Sequence, residues 1–292
     1  MACTAAERWA KARSFHHSQF PAERLARERR LSVTVCLPAR RCAGTVGEIV
    51  GELLLLARAG VIDDVLVIDG DSDDATAAVA ARAGARVCSE SELMPSFGPV
   101  LGKGDAMWRS LSVIDSDVVC FLDADTEGFS AHFATGLLGP LLCEPEVSFA
   151  KAFYRRPFSQ GEVHVPEGGG RVNHLMARPA LALFFPELAG VRQPLAGEVA
   201  ARRGLLEALP FATGYGVEAA MLIDVWRSVG LPEMAQVDLD EHRNRHQPLA
   251  ALTPMATTVL ATIAARLERE GRLQGVGGAP LERPPLASVK VL

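Results

Sequence analysis

Residues 117–125 read D-V-V-C-F-L-D-A-D, a short apolar run that ends in two carboxylates one residue apart. The run is rich in β-branched and aromatic residues and lacks polar alternation, which predicts a strand buried on both faces. Side chains alternate on an extended segment, so Asp123 and Asp125 should leave the strand on one side, with Ala124 facing away. Two carboxylates side by side repel unless a cation sits near them. A hard divalent ion takes one or two carboxylates together with a substrate's phosphate oxygens. Read in isolation, the same residues would also suit a solvated Asp-x-Asp turn.

The flanking sequence supplies context. Residues 32–37 predict a strand stopped by Pro38, residues 44–59 an apolar-periodic helix, and residues 64–68 a second buried strand. A helix over 73–83, N-capped by Ser72 and C-capped by Gly84, and a strand over 85–88 complete a third unit. A helix over 103–113 then leads into the strand at Val118. Strand–helix alternation with short connections predicts an α/β fold: a Rossmann-like, mostly parallel sheet with helices on both faces. Such sheets bind ligands beyond the carboxyl ends of their strands. Pro38, residues 69–71, Asp123 and Asp125 should therefore share one crevice. Downstream, the pattern predicts a helix over 132–142, a strand over 147–153, a glycine-rich loop at 167–171 running into a helix, and a helix over 198–209. A turn at 214–216, a helix over 217–229, a strand over 235–239 and a last amphipathic helix over 250–270 follow. Residues 1–30 read as a polar, helical lead-in, and residues 273–292, rich in Gly and Pro, as a flexible tail.

At 292 residues, 49% hydrophobic and 22% charged, the chain has the composition of an ordinary globular protein. A formal net charge of −5 gives no indication of nucleic-acid binding, so anionic partners must be held locally. The charged N-terminal stretch has no apolar core and the apolar runs are short, which predicts no signal peptide, no membrane partner and a cytoplasmic location. Of six Cys, Cys36, Cys88 and Cys120 fall within strand-like runs and no C-x-x-C pair exists, which predicts reduced core thiols. Three nucleotide and hydrolase motifs are excluded. Residues 98–104 (G-P-V-L-G-K-G) are one residue short of a phosphate loop, no G-x-G-x-x-G follows the first strand, and no G-x-S-x-G exists.

With these excluded, the remaining motifs carry a resemblance. L-P-A at 37–39, D-G-D-S-D-D at 69–74, the run 98–111, F-L-D-A-D at 121–125 and G-P-L-L at 139–142 resemble the actinobacterial glucosyl-3-phosphoglycerate synthase family. So do K-A-F-Y-R-R-P at 151–157, G-G-G-R-V at 168–172, Q-P-L-A-G-E at 193–198, G-Y-G-V-E at 214–218 and H-R-N-R at 242–245. The resemblance implies a retaining, metal-dependent glycosyltransferase of the GT-A fold and a homodimer. Residues 31–150 would form its nucleotide-sugar-binding half and 151–272 the acceptor-binding half of the same domain.

Carried onto this chain, the family's metal ligands look like Asp125 and His242, with Asp123 close by, holding Mg²⁺ or Mn²⁺. The donor site resembles Pro38, Ala39, Arg40, Gly70, Lys103, Asp123, Ala124, Tyr215 and Glu218, with Asp125, Glu218 and Leu195 at the catalytic centre. The acceptor site resembles Gly168, Gly169, Gly170, Arg171, Val172, Asn173 and Asn244. Exposed glycine N–H groups, a following helix and an Arg fork suit an anionic end. Taken singly, Lys103 could be a solvated lysine, Tyr215 a packed aromatic, and His242 a surface histidine.

The departures are equally informative. Where the family has P-A-L-N-E-E or P-A-L-D-E-E, this chain has Pro38-Ala39-Arg40-Arg41-Cys42-Ala43, so an acid at the donor's base end is replaced by two arginines. Asn173 stands for a Thr, and Ala196 for a Ser or Gly. The expectation is a diverged member using a GDP-sugar and a small anionic or zwitterionic acceptor, with a thiol such as ergothioneine in lincosamide antibiotic biosynthesis among the candidates. The alternative is the family's own reaction, UDP-glucose with 3-phosphoglycerate. A sugar-1-phosphate nucleotidyltransferase would need a G-x-G-T-R segment after the first strand, and none stands at 38–45. A non-catalytic nucleotide-sugar-binding protein would not need the acid pair together with His242.

Overall fold

A computed structural model describes residues 4–160, 163–165, 168–243, 248–275, 278 and 280–289. Its strands are β1 (Ser14–His16), β2 (Val33–Ala39), β3 (Asp64–Asp69), β4 (Arg86–Ser89), β5 (Val118–Phe121) and β6 (Phe149–Arg155). These are followed by β7 (Phe158–Gln160), β8 (Val163–Val165), β9 (Val199–Arg202), β10 (Phe211–Ala212), β11 (Met234–Glu241) and β12 (Glu282–Arg283). Eight of them form one sheet in the order β1-β11-β6-β9-β5-β2-β3-β4. Within it β9 runs antiparallel to both β5 and β6, and the other pairs are parallel.

Alternate residues of each strand feed two cores. Val118, Cys120 and Leu122 face the helices Val46–Arg58 and His132–Cys143, together with Ile49, Leu53, Phe133 and Leu137. Val119 and Phe121 face the opposite way, toward Met107, Leu222 and Ile263 on the helices Lys103–Ser110, Val217–Val229 and Leu249–Arg269. Helices therefore cover both faces, and the parallel strands are buried on each side as their unbroken apolar runs require. The helix Leu249–Arg269 is long and apolar enough to cross a membrane by length and composition, but Val259, Ile263 and Leu267 are buried in this core. Cys36, Cys42, Cys88, Cys120 and Cys143 are free thiols.

Four expectations from the sequence need correction. Residues 198–209 form no single helix: Val199–Arg202 is a strand, and a short helix occupies Arg203–Glu207. The Ala-rich E-V-A-A-R pattern favours a helix by propensity, but Ala200 and Ala201 are small enough to fill the narrow slot between β5 and β6, and tertiary pairing wins. The lead-in is not helical and polar throughout, because Ser14–His16 adds an edge strand beside β11, and Trp9, Phe20 and Leu25 are buried. The tail is partly packed. Glu282–Arg283 pairs with β10, Arg283 is 4% exposed, and the Trp108 indole N–H donates to the Pro284 carbonyl at 2.8 Å. Ser72 does not cap a helix, since the helix begins at Thr76, whose N–H is capped by Asp74; the Ser72 hydroxyl accepts from the Arg41 N–H instead.

Candidate active site

A cleft of about 770 Å³ opens at the carboxyl ends of the central strands. Pro38 and Ala39 at the end of β2, Gly70 after β3, and Asp123, Ala124 and Asp125 after β5 all line it. The extended strand stops at Phe121 and the chain turns at Ala124-Asp125, so strict alternation ends and Ala124 lines the cleft instead of facing away. The Thr45 hydroxyl donates to the Ala124 carbonyl at 2.6 Å and holds this turn.

Lys103 begins the helix Lys103–Ser110 and points at the acids. Its ammonium pairs with Asp123 and lies 3.3 Å from Glu218 Oε1. Burial would depress the Lys103 pKa, but the charges of Asp123 and Glu218 outweigh it and hold the ammonium above its usual value. Lys103 is thus a half-buried, fixed cation. The fit is tight: a Cβ at Gly197 would stand 2.6 Å from Asp123 Oδ2 and would also strike the Lys103 ammonium. Asp125 is exposed at the rim, and its carboxyl is raised above the ordinary range by burial of its surroundings and by Asp123. Glu218 lies in the first turn of Val217–Val229. Tyr215, 56% exposed, lines the cleft as an open platform rather than packing in the core.

His242 does not line the cleft wall. It is 1% exposed behind the wall, with Nε2 2.9 Å from Glu198 Oε1 and 3.1 Å from the Thr126 hydroxyl, and its ring stacks on Tyr154. At this site the ligand atoms that gather within 4.8 Å of one another are those of Asp123, Glu198 and His242, whereas the expected set was Asp125, His242 and Asp123; among the described residues His16, His17 and Asp240 form another such group away from the cleft. Glu198, in the quoted Q-P-L-A-G-E, was given no role by the sequence. Burial would raise its carboxyl, but His242, Arg156 and Lys103 outweigh this and hold it well below the usual range. Glu198 Oε1 thus has the imidazole as its partner, whereas His242 Nδ1 is buried with no hydrogen-bond partner among the described residues.

The glycine-rich loop closes the other end. Gly169, Gly170, Arg171, Val172 and Asn173 line the cleft, as does Leu195, whose N–H donates to Asn173 Oδ1 at 3.3 Å. Gly170 has a φ of +65°, and Gly169 packs so closely that a Cβ would come within 2.6 Å of Arg156 Cβ. Arg156 also lines this end, its guanidinium donating to the Tyr154 hydroxyl at 3.2 Å. It was missed because R-R gives no indication of which arginine faces inward. Asn244 lies outside the described residues.

The geometry invites comparison with known proteins. No family model matches the chain. The glucosyl-3-phosphoglycerate synthase of Petrotoga mobilis is 40% identical over 267 residues, 89% of this chain and 82% of that protein. The chain belongs to the glucosyl-3-phosphoglycerate synthase family. A crystal structure of mannosyl-3-phosphoglycerate synthase from Rubrobacter xylanophilus superposes with a TM-score of 0.90 at 46% identity, over 98% of this chain and 99% of that one. The Mycobacterium tuberculosis glucosyl-3-phosphoglycerate synthase, solved with Mn²⁺, UDP and phosphoglyceric acid, matches with a TM-score of 0.83 at 35% identity, over 94% and 98% of the two chains. The fold is accordingly GT-A and the protein is a glycosyltransferase of this family, as its motifs implied.

Proposed function

We propose that the protein moves a hexosyl group from a nucleoside-diphosphate sugar to 3-phosphoglycerate, with retention, in a reaction that needs Mn²⁺ or Mg²⁺. The observation that carries this reading is one continuous cleft running from the strand-end acids, past Lys103 and Glu218, to the glycine loop and its arginines. Relatives named for glucose and for mannose both carry phosphoglycerate in their names, which favours the phosphoglycerate acceptor over the thiol acceptor.

The residues suit a divalent ion. Asp123 and Asp125 burden each other with negative charge, and buried His242 Nδ1 has no hydrogen-bond partner among the described residues. Asp123 and His242, whose ligand atoms gather with that of Glu198, would hold the ion together with Asp125 at the rim. When bound, it supplies positive charge against the diphosphate as the glycosidic bond breaks. Lys103 adds a second, fixed cation beside the same acids, and its ammonium also braces Glu218, which can take two sugar hydroxyls. With Glu218 tied to Lys103, attack from the face the leaving group departs is favoured over a covalent intermediate. At the far end the Gly169 and Gly170 backbone, Arg171 and Arg156 receive the acceptor's anionic groups.

Arg171→Ala removes one bidentate, charge-assisted contact worth about 1.5–3 kcal/mol. Steady-state kinetics should show acceptor KM rising roughly ten- to a hundredfold with donor KM nearly constant. A rise in donor KM alone would put the acceptor at the other end.

A further inference from the structure

Glu90 closes the far wall of the same cleft. It directly follows β4, is 3% exposed, and lines the cleft together with Pro38, Ile68, Gly70 and Ala106. Its Oε1 is buried with no hydrogen-bond partner among the described residues, and a Cβ placed on Gly70 would stand 3.3 Å from its Oε2. An uncompensated carboxyl in such a place is costly to keep unless a ligand completes it.

Its position says which part of a ligand that is. The strand-end acids sit on β5, and the sheet continues β2, β3, β4, so Glu90 lies three strands away. At about 4.8 Å per strand this is roughly 14 Å, the reach of a nucleoside whose diphosphate is anchored at the acids. Glu218, Tyr215 and Leu195 line the same cleft, and Glu218 stands beside Lys103, the cation paired with Asp123. Resting on the donor-site reading above, we propose that Glu90 reads the donor's base and selects guanine. Guanine presents two adjacent donors, N1–H and the N2 amino group, which match the two oxygens of a carboxylate. Uracil presents one N–H between two carbonyl oxygens, so a carboxylate gains one bond and meets lone pairs on both sides. Gly70 leaves the space free, since any side chain there would crowd Glu90. Arg40, on the same wall, is a cation beside guanine's O6 and N7 acceptors. Burial first, then Asp105, pushes the Glu90 carboxyl up to about 7, with Arg109 and Arg40 opposing and Asp71 reinforcing. An anion here lacks partners until a base brings them.

The test is calorimetric titration of GDP and of UDP, each with Mn²⁺, into the full chain and its Glu90→Gln and Glu90→Ala variants at pH 8. GDP should bind wild type at least about tenfold more tightly than UDP. Glu90→Gln, nearly isosteric, should weaken GDP about ten- to a hundredfold and change UDP less than about threefold. Equal or tighter binding of UDP by wild type would overturn the assignment, as would a GDP-to-UDP ratio that Glu90→Gln leaves unchanged. Failure of both nucleotides to bind wild type would overturn the donor-site reading itself, and the base assignment with it.

Discussion

At the scale of single residues, Glu90 makes a claim that needs no ligand to test. Its folded pKa is raised to about 7 from an ordinary 4.5, so between those values the folded protein binds the extra proton. Stability from this group is fully present below about pH 4.5 and is lost as pH rises through about 7. Glu90→Gln carries no such titration. Chemical denaturation should therefore find wild type losing stability relative to Glu90→Gln between pH 5 and 8, by on the order of 3 kcal/mol. Parallel pH profiles for the two proteins would contradict it. The legibility of residues followed their spacing. Asp123, Asp125 and the glycine loop stand in patterns with a mechanism behind them, and they line the cleft. Glu90, with Glu92 one residue beyond it, and Glu198 stand in no pattern with a mechanism. What marks them is burial, with a missing partner at Glu90 and a buried imidazole at Glu198, and those appear only once β4 and β9 are assembled.

At the scale of elements, the strand Glu282–Arg283 supports the cleft. The Arg283 guanidinium clamps Asp105 at 2.6 and 2.8 Å, and donates to the carbonyls of Phe97 and Pro99. Asp105, fully buried, in turn accepts from the Leu101 N–H at 3.0 Å and fixes the turn that presents Lys103. Arg283→Met keeps an apolar stem and leaves Asp105 with Arg109 as its remaining cation. Unfolding in denaturant should show a loss of about 3 kcal/mol. A loss below about 1 kcal/mol would mean that the segment only covers the surface. The Gly- and Pro-rich composition hid this, because one buried arginine leaves no periodic signal. The same limit hid β9, where alanines that favour a helix were chosen for their size between two strands.

At the scale of the whole molecule, the sheet was legible because its parallel strands are short apolar runs ending in punctuation, and the ends of β2, β3 and β5 open on the cleft. The two reversals of expectation, β9 inside the sheet and β1 at its edge, depend on long-range pairing that no local window contains. Neither moves the site, since the cleft is built from the ends of β2, β3 and β5 and from loops that return to them. The central claim is metal-dependent transfer from that cleft to phosphoglycerate. Its most direct test is to incubate the protein with Mn²⁺, 3-phosphoglycerate and either GDP-mannose or UDP-glucose, and to follow the product and its anomeric configuration by NMR. The account predicts a glycosylated phosphoglycerate with the donor's anomeric configuration, formed faster from the guanine donor, and lost in excess chelator and in Asp125→Ala. Turnover undiminished by the chelator, or no product from either donor, would contradict it.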